Sequence, residues 1–374
     1  AAGIVGVMDG GGNTNGSIDF STIFTSGADT DGVTPGFQPD TSSLSVHDFG
    51  SEPATGSRIQ NALELLDDSG TLFIQSGTYT ENVDSTSTGT DISVTLAPGN
   101  SPGQVTINGN LTLNADDVLE LELNGTAAGT GFDQLIVNGT LNLGSASLNL
   151  IDGFDPAEGD QFLLLANDGT DPVVGTFAGL AEGYEFENFL GVIGQRAFLT
   201  YLGGDGNDVA IIVEDSTPQI PLPVNSQSNN DRLELSGSHL VLTDVDSGEV
   251  IYNVPMSALG GPLVIEGEPD EDDTLIVDMT GIDENTPLQI IFNGGAGGND
   301  TLAFEGGSLS SMEYFFTNAS DGGVQLNGSG TNFLTYTGLE PITSTVNATN
   351  VTLNYGADSE TITVTDAGGG QTTV

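Results

Sequence analysis

The sequence predicts an all-β chain whose short strands stack as a β-solenoid behind one short N-terminal capping helix, with a second β-rich module after it. Short apolar runs separated by Gly, Asn and Asp follow one another across residues 105–213, which indicates many short strands. One amphipathic helical pattern precedes them at residues 59–66. A Pro- and Ser-rich stretch at residues 216–228 then separates this region from further strand-rich sequence.

The helix is predicted from apolar residues that share one helical face at positions i, i+3, i+4 and i+7, namely Ile59, Ala62, Leu63 and Leu66. Ser57 and Gln60 have the spacing of a capping box. Residues 67–70, DDSG, end the helix, and TLFI then predicts a strand with a turn at residues 76–77. A helix in this place shields the open end of a stack of strands.

Strands are predicted in residues 104–213 at QVTI, LTL, VLELEL, QLIV, LNL, SLNL, QFLLLA, VVGTF, RAFLTYL and DVAIIV. Asn-Gly pairs at 108–109, 124–125 and 138–139 lie between them and are expected to supply positive φ angles. These pairs alone are equally compatible with antiparallel hairpins. The number of short strands and the helix upstream favour a solenoid.

Residues 58–83, RIQNALELLDDSGTLFIQSGTYTENV, resemble the N-terminal cap of pectate-lyase-like β-helices. In that family an "IQ-A-I" helix, a "GDTI-V" strand and a "PGTY-E-V" turn recur. The resemblance implies a right-handed parallel β-helix.

A second resemblance covers most of the strand region. The segments LAPGNSPGQVTINGNLTL, ELNGTAAGTGFDQLIVNGTLNLG, GTFAGLAEG and YLGGDGNDVAIIV occur in this order between residues 96 and 213. They resemble the autotransporter-associated β-strand repeats of very large bacterial surface proteins. This implies a solenoid architecture and an extracellular or cell-surface location.

Four regions are expected along the chain. Residues 1–45 are predicted to end a preceding β-helix module or to form a connector, and residues 46–215 to form the capped parallel β-helix. Residues 216–228 are the predicted linker, and residues 229–374 the second, solenoid-like module. The blocks of this last region resemble a module of planctomycete-type giant exoproteins, so the chain is expected to be a slice of a modular array.

The charge of the chain excludes several classes of partner. It has 53 acidic residues against three basic ones, Arg58, Arg196 and Arg232, for a formal charge of −50. Such a field repels nucleic acid, anionic lipid and acidic polysaccharide. No apolar run approaches the roughly 20 residues of a membrane helix. Lyases of uronic-acid polymers need a cation to neutralise the carboxylate and a Lys or Arg as base or clamp. The chain has no Lys, and its three Arg residues are isolated, so the resemblance does not carry that activity.

Calcium is the candidate ion. Residues 203–208, GGDGND, match the GGxGxD pattern of calcium-binding repeat-in-toxin turns, with Asp205, Asn207 and Asp208 as ligands. Residues 294–300 form a related run that adds Asn299 and Asp300. The alternative is a Gly-Asn-Asp turn between strands, because a calcium roll needs several closely spaced copies. The acidic run 266–273, EGEPDEDD, is predicted as a solvated loop or a further calcium loop.

The predicted function is structural and non-catalytic: a rod, stalk, adhesin or extracellular filament subunit of a secreted or cell-surface protein. Terminal strands with open edges are expected to join other copies or neighbouring modules head to tail by strand addition. The alternative is a carbohydrate-binding or carbohydrate-active β-helix acting on a neutral glycan. That alternative requires a groove with carboxylates beside aromatic platforms, and surface glycans would then be partners.

Overall fold

The computed structural model describes residues 22–24, 41–47, 58–88, 94–98, 102–222, 229–283, 285–326, 330–355, 365–368 and 371–373. The chain divides into two compact units. Unit 1 comprises residues 1–215 with 253–258, and unit 2 comprises residues 216–252 with 259–374. The described residues hold one α-helix, α1 (Arg58–Leu63), and short 3₁₀ turns at Ser85–Thr88, Phe189–Gly191 and Met256–Ala258.

Nearly all other regular structure is β-strand, which confirms the predicted all-β class. The strands up to residue 215 are β1 (Thr22–Phe24), β2 (Ser43–Val46), β3 (Gly70–Ile74), β4 (Gly77–Tyr79), β5 (Val83–Asp84), β6 (Val94–Pro98), β7 (Gln104–Ile107), β8 (Leu111–Thr112), β9 (Val118–Leu123), β10 (Gln134–Val137), β11 (Leu141–Asn142), β12 (Ser147–Asp152), β13 (Gln161–Asn167), β14 (Glu185–Glu187), β15 (Arg196–Gly203) and β16 (Asp208–Val213).

The strands beyond residue 215 are β17 (Gln219–Pro221), β18 (Asn229–Ser236), β19 (His239–Asp244), β20 (Val250–Pro255), β21 (Leu263–Glu266), β22 (Asp273–Asp278), β23 (Ile290–Asn293), β24 (Asp300–Glu305), β25 (Ser308–Phe316), β26 (Gly322–Leu326), β27 (Leu334–Thr337), β28 (Leu339–Ser344), β29 (Asn347–Tyr355), β30 (Thr365–Gly368) and β31 (Gln371–Thr373).

Unit 1 contains three sheets that receive strands from successive stretches of chain. Sheet 1 runs β1-β2-β3-β6-β9-β12, sheet 2 runs β14-β15-β16-β13-β10-β7-β4, and sheet 3 runs β11-β8-β5. From β2 to β12 sheet 1 is parallel and in register, so leucines stack on one another. The stacked column consists of Leu44, Leu72, Leu96, Leu119 and Leu148. Its first four members are buried, and burying such side chains is the main driving force for stacking.

Polar side chains stack at a corner of unit 1 as the leucines do in its core. Asn138 Nδ2 donates to Asn108 Oδ1 at 2.7 Å. One step further along the chain, the N–H of Thr140 donates to Asn110 Oδ1 at 2.9 Å, and the N–H of Asn110 donates to Asn82 Oδ1 at 2.9 Å. These bonds satisfy backbone groups of one turn with side chains of the adjacent one.

The glycines of the predicted Asn-Gly pairs do not adopt the backbone conformation that was expected of them. None of Gly109, Gly125 and Gly139 has a positive φ angle, so that prediction was wrong. Glycine is required at residue 139 because a Cβ atom there would lie 2.7 Å from the carbonyl oxygen of Gly109. A Cβ at Gly109 would in turn collide with the carbonyl oxygen of Glu81. Close approach of stacked turns selects these glycines.

The helix forms at the predicted position but ends at Leu63, before the last predicted face residue, Leu66, and its N-terminal N–H groups are bound by a residue distant in the chain. Its buried face includes Ile59, Ala62 and Leu63. The carboxylate of Glu81 accepts the N–H groups of Arg58 and Ile59 at 2.9 and 3.1 Å, and that of Gln60 at 3.0 Å. These are free donors of the first helical turn. Ser57 lies outside the described residues, so the capping box stays a prediction.

The last part of unit 1 reverses the chain direction. β13 pairs in parallel with β10 but antiparallel with β16, and β15 and β14 follow in antiparallel order. The predicted strand VVGTF is instead reduced to two isolated bridges, one between Val174 and Asn142 and one between Phe177 and Leu180. Pro172 lacks an N–H, and Gly175 has a φ of 79°, so the ladder cannot extend on either side of the Val174 bridge.

Unit 2 contains two large sheets with parallel centres. Strands β17, β21, β23 and β27 pair in parallel, as do β18, β22, β24 and β28. Register again stacks apolar residues, with Ile265, Phe292 and Tyr336 in one column. β19 lies antiparallel to β18, between β18 and β20, and β26 lies antiparallel between β25 and β27. Gln219–Pro221 of the predicted linker forms β17.

The substitution Gly139→Ala is expected to destabilise the protein by roughly 1–3 kcal/mol, because an added methyl group forces two stacked turns apart. The matched control is Gly125→Ala, in which the added Cβ atom lies 3.3 Å from Gly131 Cα. Urea unfolding of both variants measures the difference. Equal losses of stability in the two variants would show that turn-to-turn spacing does not select Gly139.

Candidate functional site

The first predicted calcium segment forms a tight turn between β15 and β16. Gly204 and Gly206 have φ angles of 55° and 115°, and the N–H of Gly206 donates to the carbonyl oxygen of Gly203 at 2.8 Å. Asp205 is exposed at the tip of the turn. Asn207 and Asp208 are both 5% exposed, so two of the three predicted ligands lie beneath the turn rather than at its surface.

Both buried side chains of this turn hold backbone groups. Asp208 Oδ1 accepts the N–H of Asn167 at 2.7 Å, which ties the start of β16 to the end of β13. Asn207 Nδ2 lies 3.1–3.3 Å from three carbonyl oxygens of the 168–171 loop, which share its two amide hydrogens. Burial raises the pKa of Asp208 to about 6, and the charge of Asp205 adds to the increase. The arrangement closes a turn through hydrogen bonds.

The second predicted segment, residues 294–300, stacks on the acidic run 266–273 within unit 2. The N–H of Asn299 donates to Asp272 Oδ1 at 2.8 Å, and the N–H of Asp273 donates to Asp300 Oδ1 at 3.0 Å. Asp300 is 1% exposed, whereas Asn299 is exposed. The two predicted calcium segments therefore lie in different units, and each bonds to its own neighbouring loop.

Within the described residues, no three His, Cys, Asp or Glu side chains form a group with metal-binding geometry. The candidates Asp208 and Asp300 instead accept backbone N–H groups, and Asn207 donates its amide hydrogens. Calcium at these turns therefore stays a prediction, and the alternative of a hydrogen-bonded Gly-Asn-Asp turn is the one that this geometry favours.

Asp208→Ala is expected to lower the melting temperature equally in calcium and in chelator, because it leaves the N–H of Asn167 unsatisfied at a cost of about 1–3 kcal/mol. Asp205→Ala, at the exposed tip of the same turn, is the control and is expected to have little effect. Thermal unfolding of the wild type and both variants measures this. A calcium-dependent rise in melting temperature that Asp208→Ala abolishes would establish the ion instead.

A buried carboxyl group in unit 2 was not anticipated from the sequence. Asp231 on β18 is 1% exposed, and neither of its carboxylate oxygens has a hydrogen-bond partner. It lies directly opposite Asp244 on β19. The alternation of side chains along a strand could have predicted this burial, because Asp231 lies two residues before the buried Leu233 and so shares its face.

The surroundings of Asp231 favour its protonated form. Burial is the largest cause, and the charges of Asp244, Asp273 and Asp246 reinforce it, raising the pKa of Asp231 to about 7. Asp244 is held by its own turn, since its carboxylate accepts the N–H groups of Asp246 and Ser247. Arg232, next in the chain, instead pairs with Asp278 and Glu305.

Unit 2 is therefore expected to lose stability as pH rises from about 4 towards 7. The folded pKa of Asp231 is raised above its unfolded value, so its contribution is complete below the unfolded pKa and is lost as pH rises through the folded one. The slope reaches about 1.4 kcal/mol per pH unit for this one proton.

Asp231→Asn is expected to flatten this dependence, and Glu234→Gln, on the opposite face of β18, is expected to leave it unchanged. Hydrogen exchange of the β18 and β19 amides at several pH values reports the local stability. Parallel pH profiles for the wild type and Asp231→Asn would refute the assignment of the titration to Asp231.

A groove of about 600 Å³ opens beside β12 in unit 1. Its lining residues are Leu148 and Leu150 of β12 together with Tyr184, Glu185, Phe186, Glu187, Asn188, Phe189 and Leu190. The aromatic rings of this wall contact each other edge-on or tilted, with centroids 5.0 Å apart for Tyr184 and Phe186 and 5.7 Å apart for Phe186 and Phe189. Sequence reasoning missed the groove, because residues 148–150 and 184–190 meet only in the fold.

The groove has some of the features that a glycan-binding site requires, namely carboxylates beside an aromatic ring. Glu185 and Glu187 supply carboxylates, and Tyr184 is 40% exposed beside them. However, Glu185 Oε1 is bound by Arg196 Nη1 at 3.3 Å, and Phe189 is 3% exposed within the core. The aromatic rings therefore serve mainly as packing, and a flat platform for a sugar ring is confined to Tyr184.

Comparison with protein-family models, with curated proteins and with solved structures found no match to this chain. Within the described residues, no helix has both the length and the apolar character needed to cross a membrane.

Proposed function

We propose that this chain is a non-catalytic structural segment of a secreted or cell-surface protein. In this proposal unit 1 is a right-handed parallel β-helix and unit 2 is a second solenoid-like coil, and each contributes length to a stalk, adhesin or filament. The observation that carries the proposal is the in-register leucine column from Leu44 to Leu148, in which each strand of sheet 1 repeats its neighbour.

Repetition of this kind favours a structural role because length grows by adding turns. Each turn contacts only the turns beside it, so stability is approximately a sum over neighbours. The side-chain ladder of Asn138 and Asn108 and the glutamine pair Gln104–Gln134, with 2.6 Å between Nε2 and Oε1, repeat the same contacts from turn to turn. These contacts lie along the stack and do not converge on a single reactive centre.

The charge and the buried acids also support a non-catalytic role outside the cell. A formal charge of −50 keeps such a segment soluble and repels nucleic acid and anionic polymers. Buried carboxylates such as Asp133 hold neighbouring chain segments: Asp133 Oδ1 accepts the N–H of Gly103 at 2.7 Å, and Oδ2 accepts that of Glu122 at 2.8 Å. Such carboxylates therefore stabilise the fold by accepting backbone N–H groups.

Assembly with other copies or neighbouring modules is proposed to occur head to tail by strand addition. Open sheet edges pair readily with strands of other chains, and the outermost strands of each sheet offer such edges. The high negative charge opposes such contacts, so they are expected to strengthen as salt screens the repulsion.

The test is negative-stain electron microscopy and sedimentation velocity of the purified chain at low and at physiological salt. We expect elongated particles that associate end to end as salt increases. The expected order follows from screening, because the Debye length falls from about 30 Å at 0.01 M salt to about 8 Å at 0.15 M. Monodisperse particles with no end-to-end contact at either salt would refute the filament, and compact particles would refute the rod.

A further inference from the structure

The open edge of β12 is the starting point for a binding site that the proposed structural role does not include. β12 is the last strand of sheet 1, and within the described residues it pairs with β9 alone. Toward β9, the N–H of Ser147 donates to the Asp117 carbonyl and that of Gly153 to the Leu123 carbonyl. Because alternate N–H groups of a strand face the same side, those of Leu148 and Leu150 face the open side.

The floor of the groove consists of apolar side chains that continue the core but are not fully covered. Leu148 and Leu150 lie opposite Leu119 and Leu121, which are both 0% exposed. Leu148 and Leu150 themselves are only partly buried, because no further strand covers them. A strand placed beside β12 would cover both side chains and would find backbone donors and acceptors on the same edge.

The opposite wall limits how a strand could enter. The antiparallel strands β14 to β16 extend sheet 2 beyond β13, so the 184–190 segment stands across from the open edge of sheet 1. The apolar side chains of Phe186 and Leu190 line this wall. The groove therefore has a hydrogen-bonding side and an apolar side, which suits an extended peptide with alternating side chains.

The acidic side chains of the 184–190 wall favour a cationic peptide. Glu185 and Glu187 are exposed at the groove. Arg196 is already bound by Glu185 and Glu214. A second copy of this chain carries the same charge of −50 with three basic residues, so it is a poor match. A segment with Lys or Arg between apolar residues complements both the wall and the overall field.

We infer that the groove between β12 and residues 184–190 binds an extended cationic segment of a partner protein. The segment adds to sheet 1 as a further strand beside β12. Its apolar side chains, at alternating positions, cover Leu148 and Leu150, and its basic side chains lie near Glu187. β12 has six residues, so the bound stretch spans about 20 Å.

The first experiment measures binding of three fluorescent synthetic peptides to the full chain by anisotropy at low salt. One alternates Val and Lys, the second is the same peptide with alternate backbone nitrogens methylated along one edge, and the third alternates Val and Glu. Strand addition predicts binding of the first peptide, at least about tenfold weaker binding of the methylated one, and no binding of the acidic one. Equal binding of the first two peptides would refute strand addition.

The second experiment places the site. Leu150→Asp is expected to weaken binding of the Val–Lys peptide at least about tenfold, because it puts a charge on the apolar floor. Ile151→Asp, on the outer face of the same strand, is the matched control and is expected to bind nearly as the wild type does. Glu187→Gln is expected to weaken binding about threefold at low salt and less at high salt.

Circular dichroism checks that each variant is folded, and the methylated peptide tests the idea without any variant. Two results would overturn the inference: equal binding by Leu150→Asp and Ile151→Asp, or displacement of the peptide by a neutral oligosaccharide. None of these results depends on whether the chain forms rods or filaments, so failure here is distinguishable from failure of the structural proposal.

Discussion

In-register pairing of parallel strands is the constraint on which the rest of this protein depends. When residue positions repeat from one turn to the next, each side chain is stacked on a side chain in the same environment. Leucine then packs on leucine and Asn bonds to Asn, as at Asn108 and Asn138. A backbone carbonyl also lies directly beneath the next turn, so Gly139 has no room for a Cβ atom. In-register pairing thus explains the leucine column, the stacked Asn side chains and the glycine at residue 139.

Buried acids are the other consequence of dense stacking. An acceptor with two oxygens can bridge two backbone segments, as Asp133 does between Gly103 and Glu122, and burial raises the pKa of Asp133 to about 6. Hydrogen bonds from backbone N–H groups offset part of the desolvation cost. Asp231 lacks such bonds, so a proton is what neutralises it. An aspartate therefore links two backbone segments at residue 133 and acts as a titrating group at residue 231.

Local pattern was sufficient to predict α1, the strand β3 after it and most strands up to β16, because helix and strand periods are written in consecutive residues. It failed at the VVGTF run, where Pro172 and Gly175 outweigh apolar composition. The roles of Gly109 and Gly139, the exposure of Leu148 and the isolation of Asp231 all depend on which residues meet across turns. That information lies in the register between turns, which a single sequence does not display.

The antiparallel return of β16 beside β13 gives unit 1 two chemically different ends. At the first end, α1 covers the stack and Glu81 satisfies its free N–H groups. At the other, sheet 2 continues through three strands that pair antiparallel, while sheet 1 stops at β12. One end of the stack therefore carries a helix, and the other end carries a step between two sheets. If such pieces join head to tail as proposed, the polymer has a polarity, because its two ends present different groups.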